Sequence, residues 1–213
     1  MSMLPSWGKA RRPWPLVAIS GSPPRGPRSL PMSSALDVQM QSWRHALHRQ
    51  PELGFQEQET AAFVTEVLEG LGLTVYGGLG GTGLVASLTV GDGPGVIGLR
   101  ADMDALALTE AGAVPHRSER AGCMHGCGHD GHMAMLLGAA KQLVAQRNFN
   151  GTVRFIFQPA EEHGRGAKAM MAEGLFDRFP VDAIFGLHNM PGLPLGQIAA
   201  RAGGIMAAED NFE

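Results

Sequence analysis

Between Gly122 and His132 the chain reads "GCMHGCGHDGH", which packs two cysteines, three histidines and an aspartate into one short stretch. Thiolate, imidazole and carboxylate are the donors zinc accepts, and manganese prefers the last two. Cys127 and His129 stand two residues apart, and Gly128 between them permits a tight bend. A structural zinc knuckle wants a second close pair of ligands, but the chain has only two cysteines, Cys123 and Cys127. A site assembled from distant segments is therefore the stronger reading. Glu161-Glu162 is a second informative pair. On extended backbone adjacent side chains point to opposite sides, so one carboxylate is expected to hold a metal while the other faces a bound water as general base. Alone, such a pair would be a solvated acidic loop. Asp102 and Asp104 straddle Met103 and point the same way, as ligands or as groups that orient a histidine. Turn capping after a strand is the plainer alternative. His188 completes the set, and six of the eight histidines fall between His116 and His188.

The elements around these residues explain how they would meet. "GVIGLRAD" (95–102), "GTVRFIFQ" (151–158) and "VDAIFGLHN" (181–189) read as strands, with "GHMAMLLGAAKQLVAQ" (131–146) and "GAKAMMAEGLF" (166–176) as helices between them. This alternation predicts an α/β fold, a mostly parallel or mixed sheet with helices on both faces. Ligands in such sheets bind beyond the carboxyl ends of the strands, which is where Asp102, Glu161 and His188 fall. Upstream, a helix is expected from Asp37, as its cap, to Pro51, with Leu36, Met40, Trp43 and Leu47 on one face. A second helix spans 57–72, and strands are expected at 73–76, 83–90 and 196–203.

Composition excludes several classes. With 44% hydrophobic and 17% charged residues and a net charge of −3, the chain suits a globular fold and gives no sign of a nucleic-acid or membrane partner. No apolar run is long enough to cross a bilayer. Two cysteines make no disulfide framework, although a bridge between them is geometrically possible. A reducing, cytoplasmic setting is expected, where thiols serve as ligands or nucleophiles. Residues 1–36 carry five basic residues, no acid and seven of the 14 prolines. They read as a disordered tail or a mis-assigned start rather than a targeting segment.

Three features are discounted. "GLGGTG" (78–83) matches a dinucleotide fingerprint in spacing but is followed by a strand, so it reads as a hairpin loop. Met133 and Met135 read as core filler. His45 and His48, on the first helix, read as surface or packing residues.

Five blocks in order, "RHALHRQPELGFQEQET", "GLRADMDAL", "MHGCGHDGHMAMLLGAA", "GTVRFIFQPAEE" and "GLHNMP", resemble the M20 metallopeptidase superfamily from Trp43 to Glu213. The branch they resemble contains hippurate hydrolases, N-acyl-amino-acid amidohydrolases and auxin-conjugate hydrolases. The resemblance implies a zinc-exopeptidase-like catalytic domain with two divalent ions, manganese or zinc. It implies Cys127 as a thiolate ligand, His129, Glu162 and His188 as further ligands, and Glu161 as general base. The substrate class it implies is the small N-acyl amino acid, and full-length relatives are expected to be homo-oligomers. The sequence departs from the pattern at Ala121, Gly126 and Met133, which touch packing and loop stiffness rather than ligands. Relatives continue through a smaller lid or dimerisation domain. On this resemblance 37–203 is the N-terminal part of the catalytic domain and 204–213 the entry to a lid. The last histidine ligand has no counterpart, so a truncated, poorly active and aggregation-prone chain is expected. A dipeptidase of the same superfamily and a non-catalytic metal-binding domain are the competing readings.

Overall fold

The strands β2 (Gly83–Val90) and β4 (Gly151–Gln158) lie side by side, and their alternating side chains divide the molecule into two layers of packing. Leu84 faces Phe157, Ala86 faces Phe155 and Leu88 faces Val153 across the ladder. All six enter one core with Trp43, Leu47, Val64, Leu68, Met133 and Leu137. The intervening Val85 and Ile156 point the other way, into a second core with Leu79, Met170, Leu175 and Phe179. This is the two-residue period of a pleated strand, with both faces covered.

The computed structural model describes residues 35–194, 196–200 and 202–203. The first core is closed by α1 (Ala35–Arg49), α2 (Gln58–Gly70) and α3 (His129–Gln146). In α3 the buried Met133, Leu136, Leu137 and Ala140 recur at helical spacing. The second core is closed by α4 (Gly166–Ala172) and α5 (Leu175–Arg178). With β1 (Val75–Leu79), β3 (Val96–Asp102) and β5 (Ala183–Gly186), the sheet runs β1-β2-β4-β3-β5. The β1–β2 and β2–β4 pairs are antiparallel, while β3 is parallel to both β4 and β5. The sheet is therefore mixed, with helices on both faces, and its parallel half carries the rim on which the chemistry-bearing residues fall.

Several boundaries differ from the sequence reading. The first helix is already formed at Ala35, so Asp37 lies in its first turn and does not cap it. α3 starts at His129, which brings His129 and His132 onto one helical face. The helix expected over 166–176 is two, broken at Gly174, whose φ of 83° only glycine adopts at little cost. β5 covers four residues, and the described residues of 196–203 form no strand. The expected entry to a lid at 204–213, and the expected tail apart from Ala35 and Leu36, lie outside the described residues. "GLGGTG" forms the β1–β2 hairpin connection. Met133 is fully buried, but Met135 is 38% exposed and fills no core. No helix among the described residues is long and apolar enough to cross a membrane.

A buried carboxylate fixes the rim from below. Glu57 is fully buried; its Oε2 accepts the Thr82 hydroxyl at 2.6 Å and its Oε1 accepts the Ala160 N–H at 2.8 Å. It thereby ties the hairpin and the start of α2 to the residue just before Glu161. Glu57→Ala leaves two buried donors without an acceptor, which costs roughly 2–6 kcal/mol together. Thermal denaturation should show a Tm lower by about 10 °C, with Glu57→Gln recovering part of the loss. An unchanged Tm in the alanine variant would contradict this role.

Candidate metal centre

His129 sits at the hub of the rim with no exposed surface. Its Nδ1–H donates to the Asp104 carbonyl at 2.8 Å, with Asp104 Oδ1 at 3.3 Å. That leaves Nε2 as the lone-pair nitrogen. It faces Asp102 Oδ2 at 3.6 Å, Glu162 Oε1 at 3.7 Å and Glu161 Oε2 at 3.8 Å. Cys127 lies in the bend just before α3, its sulfur 3.3 Å from His188 Nε2. Cys127, His129 and His188 can bring one ligand atom each within 4.8 Å of one another, and so can His129, Glu161 and Glu162, and Asp102, His129 and His132. The three groups share His129. Every residue named from the sequence as a ligand or base thus falls in one place, delivered by the ends of β3, β4 and β5 and the start of α3.

The two glutamates do not point to opposite sides. Residues 161–164 form a turn, Ala160 has a φ of 45°, and the Gly164 N–H bonds the Glu161 carbonyl at 2.8 Å. The backbone is not extended there, so alternation does not apply, and both carboxylates face His129. Asp104 accepts the Glu162 N–H at 3.0 Å, which holds that turn to the end of β3. Asp102 takes another partner: His132 Nδ1 lies 2.6 Å from its Oδ1 and Arg100 Nη1 lies 2.8 Å from its Oδ2.

Charge is dense here. Burial pushes the Asp102 carboxyl up, but the His132 hydrogen bond and the charges of His129 and Arg100 outweigh it and hold the group at about 2. Burial would likewise keep His129 neutral; the Asp104 hydrogen bond and the charges of Asp102, Asp104 and Glu162 raise its proton affinity instead. Glu161 binds its proton more tightly than a free carboxylate, through burial and then the negative charge of Asp102. Burial and the Glu162 carboxylate push the Cys127 thiol up to about 12. Two buried polar atoms that face each other at 3.7 Å, His129 Nε2 and Glu162 Oε1, have no hydrogen-bond partner. Buried polar atoms are almost always paired, so two facing orphans call for a ligand between them.

Two residues were absent from the sequence-derived set. His132 is buried against Asp102, with its Nε2 toward Asn189. The three-residue spacing from His129 was a usable signal, but only with α3 starting at His129. His48 is no surface residue: it is buried, with Nδ1 2.7 Å from Asp130 Oδ2 and Nε2 3.4 Å from Glu110 Oε1. His45 stacks on His116, ring centroids 3.8 Å apart. Both cysteines are free, and Cys123 points at the Pro51 carbonyl.

Known proteins resemble this chain in sequence and in fold. A hippurate hydrolase of Campylobacter jejuni is 47% identical over 179 residues, which cover 83% of this chain and 46% of that protein. An N-acetyl-L-cysteine deacetylase of Bacillus subtilis is 41% identical over 182 residues, 84% of this chain and 43% of the other. The crystal structure of the Bacillus subtilis YXEP protein, described as a dinuclear metal-binding peptidase of the M20 family, superposes with a TM-score of 0.72 at 42% identity. That superposition covers 77% of this chain and 46% of the other. The chain thus spans less than half the length of these relatives. Residues 98–209, more than half of the chain and the stretch that holds every rim residue described above, match one family profile. The chain belongs to peptidase family M20/M25/M40.

Proposed function

We propose that the protein is a metal-dependent amidohydrolase that cleaves the amide bond of N-acyl amino acids. The observation that carries the reading is the pair of orphaned buried atoms, His129 Nε2 and Glu162 Oε1, that face each other among donors suited to zinc or manganese. Cys127, His129, Glu162 and His188 would hold two divalent ions, with zinc or manganese as candidates. When bound, the ions supply Lewis acidity, which acidifies a water and polarises the amide carbonyl.

The chain's own residues do the rest. Asp104 fixes the His129 tautomer, so that Nε2 presents its lone pair to the site. Glu161, 37% exposed on its side chain against 21% for Glu162, is the most water-accessible of the four carboxylates. It takes a proton from the water and later gives it to the departing amine nitrogen. The acyl carbon gains the water oxygen as the C–N bond breaks, and Glu161 returns to its starting state. The substrate class is supported by the relatives, which include a hippurate hydrolase, a deacetylase of N-acetyl-L-cysteine and an IAA-amino acid hydrolase of Arabidopsis thaliana.

The test is release of glycine from hippurate, and of amino acids from their N-acetyl forms, by the purified chain loaded with manganese or zinc. Release that stops on chelation and returns with metal supports the proposal. A folded, metal-loaded chain that releases no amino acid from either substrate would sink it.

A further inference from the structure

The segment after β5 carries His188 into the metal centre with almost no apolar anchorage. The ladder between β5 and β3 ends at Gly186, and the described residues from 184 to 200 are all exposed. Among the described residues, each hydrogen bond from 187–200 back to the body is made by His188 or Asn189. These are the Cys127–His188 contact and the meeting of Asn189 with His132.

We propose that His132 is a positioning residue: it docks Asn189 and thereby sets His188 against Cys127 and His129, without ligating metal itself. The inference rests on the metal-centre reading above. The Asn189 backbone N–H donates to His132 Nε2 at 3.1 Å. Nδ1 carries a proton, since it lies 2.6 Å from Asp102 Oδ1, which can only accept. Asn189 Oδ1 also lies against Nε2; the backbone N–H calls for a lone pair there and the side-chain oxygen for a proton, and either contact docks Asn189 on His132. Both ring nitrogens are thus engaged, whereas His129 Nε2 has no partner and faces the acids. A short chain runs from Arg100 through Asp102 and His132 to Asn189, one peptide bond from His188. The His132 and His188 rings also meet edge to face, centroids 4.6 Å apart.

Gly128 makes room for this contact. Its φ is +89°, and a Cβ there would lie 2.6 Å from Asn189 Oδ1. The glycine between Cys127 and His129 leaves the space that the Asn189 amide fills, so one residue both shapes the ligand loop and receives the clip.

The experiment combines hydrogen exchange on the metal-free full chain with zinc titration of the same samples. His132→Phe keeps the buried ring volume and removes both hydrogen bonds. His132→Gln places an amide oxygen near the position of Nε2. In His132→Phe, peptides covering 185–194 should exchange roughly tenfold faster than in wild type, with β4 and the C-terminal half of α3 unchanged. Zinc affinity should fall about 10–100-fold at an unchanged number of ions bound. His132→Gln should restore much of both. Equal exchange of 185–194 in wild type and His132→Phe would overturn the inference. Loss of one zinc equivalent with protection intact would also overturn it and make His132 a ligand. A wild-type chain that binds no zinc would defeat the metal-centre reading, and the exchange comparison would still decide the docking role.

Discussion

Replacing Glu161 with glutamine should lower turnover of an N-acyl amino acid by roughly 10²–10⁴-fold while metal content stays at the wild-type level. Its Oε2 lies 3.8 Å from His129 Nε2, yet the side chain is 37% exposed where His129 is fully buried. It stands between the metal centre and solvent. Its proton affinity is raised by burial and then by the Asp102 charge, the direction that suits a group that accepts and returns a proton. Glutamine keeps the size and the contacts but cannot accept the proton. The loss should therefore fall on kcat, with KM little changed. Steady-state kinetics with elemental analysis on the same preparation checks this. Loss of metal along with activity would make Glu161 a ligand, and retained activity would place the base elsewhere.

Chelating the divalent metal should lower the stability of the folded chain, and restoring zinc or manganese should return it. Four carboxylates, from Asp102, Asp104, Glu161 and Glu162, surround one buried imidazole that carries a free nitrogen lone pair. Without a cation the acids repel one another and the orphaned atoms stay unpaired. A ligand present at a hundred times its Kd stabilises by about 2.7 kcal/mol, which for a chain of this size raises Tm by roughly 5–10 °C. The Cys127 thiol, pushed up to about 12, binds metal only by giving up its proton, so zinc addition to unbuffered protein should also acidify the solution. Replacing Cys127 and Glu162 together by alanine should abolish both the thermal shift and the proton release. Thermal scans with chelator and with zinc decide the matter: equal Tm values in the two conditions would mean that the site holds no ion in the folded chain.

The His48 cluster settles what the sequence left open. His45 and His48 read as surface or packing residues, and "RHALHRQPE" does not say which. The partners of His48, Asp130 and Glu110, lie 82 and 62 residues away. Asp130 also receives Arg44 Nε at 3.1 Å. Nothing in the local spacing of α1 shows that a buried carboxylate from α3 will come to meet it.

What the sequence determined by itself was the type of most elements and the donor residues that meet on the rim. The strand-forming runs "GLVASLTV" and "GTVRFIFQ", helical spacing in "MAMLLGAA" and the donor types at 102–104, 127–129, 161–162 and 188 are local properties that a short window of sequence records. The tertiary structure alone decided how those groups are used. The strand order places β3 between β4 and β5, so that three chain segments end on one rim. The turn after Ala160 rotates both glutamates toward His129, where an extended strand would have separated them. Asn189 reaches His132 across 57 residues of chain through a gap that Gly128 leaves open. Strand order, backbone turning and hydrogen bonds between distant residues depend on which surfaces pack together, and packing is a property of the whole chain that no short window of sequence contains.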